Sequence, residues 1–192
     1  MVIGLTGGTG CGKTTALRVL QELGARCFDA DAVYHRMLET DTELLAAIEA
    51  AFPGVVEEGT LQRKKLGAQV FGDPEKLKLL SAITQPRVAA AIEAQQDGGL
   101  AVIDAISLTE SGLSKLCDHT VAVIAPRESQ ITRIMAREGV DRSYAEARVL
   151  AQKPAEEFAA ACDYVVNNDG TPEEFRELCL KLFEKLIKGE EI

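Results

Sequence analysis

The stretch Val2-Ile3-Gly4-Leu5-Thr6-Gly7-Gly8-Thr9-Gly10-Cys11-Gly12-Lys13-Thr14-Thr15 decides the fold of this chain. Val2 to Thr6 reads as a short buried strand that ends in a Gly-rich turn. Gly7 to Thr14 then match the pattern G-x-x-x-x-G-K-[ST]. Glycines permit backbone with positive φ and let main-chain N–H groups approach phosphate oxygens. A helix that follows the loop presents its N-terminal N–H groups and positive dipole end to the same anion. A lysine at this place reaches the β- and γ-phosphates, and the next hydroxyl ligates Mg²⁺. The expected nucleotide contacts are therefore Gly8, Thr9, Gly10, Cys11, Gly12, Lys13, Thr14 and Thr15, with ATP and Mg²⁺ as cofactors and Thr14 on the metal. Cys11 reads as a small residue in a serine-like position.

Outward from this loop, Thr14 to Leu23 has helical spacing of Ala16, Leu17, Leu20 and Leu23, and Gly24 supplies a stop. Arg26 to Phe28 reads as a second strand, running into Asp29-Ala30-Asp31. From there to about Gln96 the pattern is mostly helical, broken at Pro53-Gly54, Gly59 and Gly72, with Asp73-Pro74 as an N-cap and first helical position. Leu100–Ile103, Thr120–Ala125 and Tyr164–Val166 are further strand candidates. Arg127–Arg137 and Tyr144–Gln152 read as helices, and Thr171-Pro172-Glu173-Glu174 as a capping box opening a last helix to about Lys188. Strands alternating with helices predict a parallel sheet covered on both faces. The fold class is thus α/β, a three-layer P-loop sandwich with about five parallel strands.

The 192 residues suit one compact domain or one core with small appendages, and 46% are hydrophobic. A net charge of −9 excludes a general nucleic-acid binder, so an anionic ligand needs local positive charge. Eleven Arg occur, and five lie between residues 127 and 148: Arg127, Arg133, Arg137, Arg142 and Arg148. Arg133 and Arg137 share a helical face with Gln130. Guanidinium forks suit phosphate oxygens, so two or three of the five are expected on phosphates, in a segment able to close as a lid. Glu128, Glu138, Asp141 and Glu146 are the competing salt-bridge partners. Five Cys form no C-x-x-C pair, which fits a reducing cytosol and a cytoplasmic protein. The N-terminus shows no basic n-region, and no apolar run reaches membrane-spanning length, so no membrane role is expected. Asp29 and Asp31 follow a strand where ligands of parallel sheets collect; either can cap a helix, hold Mg²⁺ water or accept a hydroxyl proton.

On these features the chain resembles the dephospho-CoA kinase family nearly end to end. The resemblance is carried by Ile3-Gly4-Leu5-Thr6-Gly7-Gly8 with Gly10 to Thr14, and by Phe28-Asp29-Ala30-Asp31. It continues through Gly59-Thr60-Leu61-Gln62-Arg63 with Leu66, Val70 and Phe71, then Gln130, Arg133, Arg137, Arg148, Gln152, Asp163, Asn168 and Gly170. It implies transfer of the γ-phosphate of ATP to the ribose 3′-hydroxyl of dephospho-CoA. It implies Asp31 as the base, working with Lys13 and Arg137. Asp29, Asp31, His35, Arg63 and Asp104 would stand on the acceptor side, and Arg137 and Asn168 on ATP. Residues 1–32, 98–125 and 160–192 would form the nucleotide-binding core, 33–97 a helical acceptor region and 126–159 the lid. The expected assembly is a monomer or weak homo-oligomer. The chain departs from the family's usual residues at Gln85, which stands for a His before Pro86, at Ile106 for a Pro, and at Phe158 for a Lys. Another small-molecule or nucleotide P-loop kinase and a non-catalytic ATP-binding regulatory paralogue are the alternatives; no guanine-type N-K-x-D motif is present.

Overall fold

Aliphatic strands too short to be stable alone are held here by pairing side by side under helices. The computed structural model describes residues 1–191. In chain order the first half contains β1 (Val2–Thr6), α1 (Lys13–Glu22), β2 (Arg26–Asp29), α2 (Ala30–Thr40), α3 (Thr42–Ala51), β3 (Val56–Glu57), β4 (Thr60–Leu61), α4 (Arg63–Val70) and α5 (Pro74–Glu93). The second half contains β5 (Ala101–Asp104), β6 (His119–Ile124), α6 (Arg127–Glu138), α7 (Arg142–Leu150), α8 (Ala155–Ala160), β7 (Tyr164–Asn167) and α9 (Pro172–Lys188).

The main sheet has the order β2-β5-β1-β6-β7, and every pairing in it is parallel. The connection leaving β1 crosses to β2 on one side, while β6 and β7 lie on the other. The crevice at the carboxyl end of β1 is therefore the topological switch point where such folds bind ligands. One face is covered by α1 and α9, whose Leu20, Phe175 and Phe183 pack on Ile3, Leu5 and Val121. The other face packs Phe28 and Ile103 against Val88 and Ile92 of α5. Residues of α2–α4 and the small β3–β4 sheet have a separate apolar cluster around Leu44, Ile48, Phe52 and Leu66. The α6–α7 pair closes on Ile131, Ile134 and Ala145.

The capping signals act where the sequence places them. Asp73 accepts N–H bonds from Glu75 and Lys76 at the start of α5, and Thr171 with Glu174 forms a complete capping box on α9. Two features differ from the expected pattern. The β3–β4 hairpin interrupts the helical run: Glu58 and Gly59 both take positive φ, 47° and 75°, the two-residue turn whose twist suits a hairpin. Strands of two residues leave no periodicity to read. The short α8 was also absent from the sequence pattern, and it buries Phe158. No helix among the described residues is long and apolar enough to cross a membrane.

Candidate active site

The phosphate loop spans Gly7 to Lys13, between β1 and α1. Gly7 has φ 141° and Gly12 φ 110°. A Cβ on Gly7 would lie 2.2 Å from the Val123 carbonyl oxygen, and one on Gly12 would lie 2.3 Å from Asn168 Nδ2. Backbone strain and lack of space both demand glycine at these two positions.

Under the loop lies a brace that sequence spacing does not reveal. Asn168, just past β7, is 5% exposed. Its Nδ2 donates to the Cys11 carbonyl at 2.8 Å, and its Oδ1 accepts from Arg133 Nη2 at 2.9 Å. Arg133 Nη1 donates to the Gly10 carbonyl at 3.2 Å. A free carbonyl in the cradle would repel phosphate; these two are taken up by donors. Burial is the main reason the Cys11 thiol is pushed up, which fits an inert packing residue rather than a reactive one.

Lys13 Nζ lies 3.2 Å from Oδ1 of Asp104, the last residue of β5. Burial raises the Asp104 carboxyl above its ordinary value; Lys13 opposes the shift, and Asp29 and Asp31 add to it. The register pairs Asp29 with Asp104, so two acidic strand ends stand side by side. Asp29 is the N-cap of α2 and accepts the Ala32 N–H at 2.9 Å. Asp31 lies in the first turn of that helix, exposed, and lines a 60 Å³ hollow with Tyr34, Gln85 and Ser107.

A cavity of 330 Å³ is lined by Gly8, Thr9, Gly10, Gly12, Lys13, Thr14, Asp104, Ile106, Arg133, Arg137 and Arg148. Arg137 and Arg148 both reach Glu138, at 2.6 and 2.5 Å. Arg142 is taken up by Glu128 and Glu146. Of the five clustered arginines, three thus face this cavity, and Arg133 is already committed to the brace. Arg127 lines a second, larger cavity of 640 Å³ with Gln130, Gln152, Pro154 and Asn168. Arg63, at the start of α4, lines a third of 380 Å³ with Leu38, Glu39 and Thr60. His35 is exposed on α2, its ring 5.7 Å from that of Tyr34.

Two further contacts were not foreseen. Gln152 Oε1 accepts the Thr9 N–H at 2.7 Å, and its Nε2 donates to Thr9 Oγ1 at 2.5 Å. Next to it, Lys153 forms an ion pair with Glu110, beyond β5. Thr9 and Gln152 are separated by 143 residues, so no local pattern announces their contact.

For a divalent ion, no group of three or more His, Cys, Asp or Glu among the described residues forms a cage. Mg²⁺ characteristically uses one or two protein ligands and completes its shell with water and substrate phosphates. Thr14 and Asp104, both on the 330 Å³ cavity, fit that habit.

The profile described as Dephospho-CoA kinase matches residues 1–174. A relative named dephospho-CoA kinase from Anaeromyxobacter dehalogenans is 44% identical over 180 residues, covering 90% of this chain and 85% of that protein. One of the same name from Geobacter sulfurreducens is 38% identical, covering 96% and 98%. Among solved structures, dephospho-CoA kinase from Campylobacter jejuni superposes with a TM-score of 0.68 at 26% identity, covering 98% of each chain. Shikimate kinase from Acinetobacter baumannii, at 17% identity and a TM-score of 0.55 over 100% of this chain and 95% of its own, shares the fold. The match across most of its length, joined to the phosphate loop and the acidic strand ends, means that the chain belongs to the dephospho-CoA kinase family.

Proposed function

We propose that this chain transfers the γ-phosphoryl group of ATP to the ribose 3′-hydroxyl of dephospho-CoA, giving CoA and ADP, the final step of coenzyme A biosynthesis. The observation that carries this reading, within the family, is that Lys13 and the acidic trio Asp29, Asp31 and Asp104 meet at one end of the sheet. The loop from Gly8 to Thr15 holds the phosphates, and Asn168 supports it from below. Thr14 and Asp104 are the residues to hold Mg²⁺, which when bound offsets charge on the β- and γ-phosphates.

The acceptor oxygen attacks the γ-phosphorus, and the bond from that phosphorus to the β,γ-bridging oxygen breaks, leaving ADP. Asp31 orients the hydroxyl and takes its proton. Lys13, Arg137 and Arg148 stabilise charge on the transferring group. His35 and Arg63 lie on the acceptor side, with Asp29 fixing the start of α2. Residues 1–32, 98–125 and 160–192 bind nucleotide, 33–97 bind the acceptor and 126–159 form the lid; the separate clusters around Leu44 and around Ile131 support the last two, while α5 of the acceptor region also packs Val88 and Ile92 on the main sheet. The enzyme works as a monomer or weak homo-oligomer in the cytoplasm, without nucleic acid.

The test is an acceptor panel with Mg-ATP, comparing dephospho-CoA with adenosine, AMP, shikimate and pantetheine. Dephospho-CoA is the acceptor that drives ADP formation. Preferred phosphorylation of another member would replace this reading with a different small-molecule kinase.

A further inference from the structure

Three of the chain's own side chains place oxygens on groups that the proposed reaction gives to phosphate. Asp104 sits on Lys13, Glu138 on Arg137 and Arg148, and Gln152 Oε1 on the Thr9 N–H. The first two are carboxylates on side-chain cations. The third is a neutral amide oxygen on a main-chain donor of the phosphate loop. Both ends of that carboxamide are engaged by Thr9, at 2.7 and 2.5 Å. A Cβ on residue 8 would lie 2.9 Å from Gln152 Oε1, so glycine there lets the carboxamide lie close against the loop.

The place of this contact indicates which phosphate it concerns. The loop's N–H groups together cradle the α- and β-phosphates, and its lysine reaches the β- and γ-phosphates. Thr9 is at the other end of the loop, on the cavity shared with Lys13, Arg137 and Arg148. Lys13, which reaches the β- and γ-phosphates, lines the same cavity, and this is the ground for pairing the Thr9 N–H with the terminal phosphate. Gln152 itself lines the neighbouring 640 Å³ cavity, so the Thr9–Gln152 pair stands where the two cavities meet.

We propose that Gln152 is a positioning residue that senses the γ-phosphate: its carboxamide oxygen holds the Thr9 N–H until a triphosphate displaces it. The inference rests on the ATP-dependent reading above. In the exchange, the Thr9 N–H passes from a neutral acceptor to a charged one, which makes a shorter and stronger bond. ADP has no γ-phosphate and leaves the Thr9–Gln152 pair in place. Binding of ATP carries the cost of breaking the pair and binding of ADP does not.

The test is calorimetric titration of Mg-AMP-PNP and Mg-ADP into wild type, Gln152→Ala and Gln152→Glu, without acceptor. Gln152→Ala removes the competitor, so affinity for AMP-PNP rises about fivefold while that for ADP stays within roughly twofold. Gln152→Glu keeps an acceptor on Thr9 and adds charge, so AMP-PNP weakens relative to ADP. A merely structural role would weaken both nucleotides alike in both variants. Equal changes for the two nucleotides, or unchanged AMP-PNP affinity in Gln152→Ala, overturn the inference and leave the phosphoryl-transfer reading intact. AMP-PNP that fails to bind wild type overturns both.

Discussion

Lys13 Nζ and Asp104 Oδ1 meet at 3.2 Å, joining the helix that follows β1 to the end of the neighbouring strand β5. The pair sits where the phosphate loop faces the acidic strand ends. Its energetics are lopsided. Burial is the largest influence on Asp104 and raises its carboxyl despite the lysine. A carboxyl raised on folding contributes stability that is fully present below its ordinary 3.8 and is lost as pH rises through the folded value. At neutral pH the ionised Asp104 is thus a net cost of folding.

It follows that Asp104→Asn melts at least as high as wild type at neutral pH while losing activity. The difference in Tm closes as the pH is lowered through the folded value toward 3.8. Thermal melts across pH, set beside turnover, check this; a lower Tm for the variant at neutral pH would show the ion pair to be net stabilising.

The two acids flanking Ala30 separate by role. Asp31→Asn is expected to lower kcat about a hundred- to ten-thousandfold with little change in Tm, because Asp31 is exposed and lies off the capping bond. Asp29→Ala removes the N-cap of α2 and costs about 1 kcal/mol of stability. Turnover close to wild type in Asp31→Asn would remove its assignment as base.

The arginines separate in the same way. Arg133→Ala strips the brace beneath Gly10 and Asn168 and leaves half-buried acceptors unpaired, at a cost of about 1–3 kcal/mol, so Tm and ATP affinity fall together. Arg137→Ala gives up one exposed pair with Glu138, which contributes little to stability, so its loss is expected in kcat. Unchanged kinetics in Arg137→Ala would make that side chain a solvated one.

Asp163 ties the start of β6 to the turn before β7. Its carboxyl accepts from the Thr120 hydroxyl and N–H, both at 2.8 Å, and these bonds hold it below the ordinary 3.8. Stability from such a group is present above 3.8 and is lost as pH falls through the lowered folded value. Asp163→Ala is therefore destabilised at neutral pH, and its deficit shrinks in acid. A deficit independent of pH, measured by denaturant unfolding, would contradict this.

Much of the fold was legible because its signals are local. Gly7 to Thr14 encode the loop, Thr171 and Glu174 cap α9, and short aliphatic runs mark the strands, each within a residue or two of its observed ends. The β3–β4 hairpin escaped because two-residue strands carry no period, and α8 because its six residues span less than two turns. At the site, sequence supplied the residue types but not their partners. Arg133 looked like the other lid arginines, and only the tertiary fold turns it toward Gly10 and Asn168. The engagement of Thr9 by Gln152 likewise exists only once α7 is laid beside the loop.

The most direct measurement is to incubate the purified chain with Mg-ATP and dephospho-CoA and to identify the products by mass spectrometry and phosphorus NMR. CoA carrying its new phosphate on the ribose 3′-oxygen, formed in step with ADP and lost in Lys13→Ala, is the expected result. ATP consumed without CoA, phosphate on another oxygen, or full activity in Lys13→Ala would contradict it.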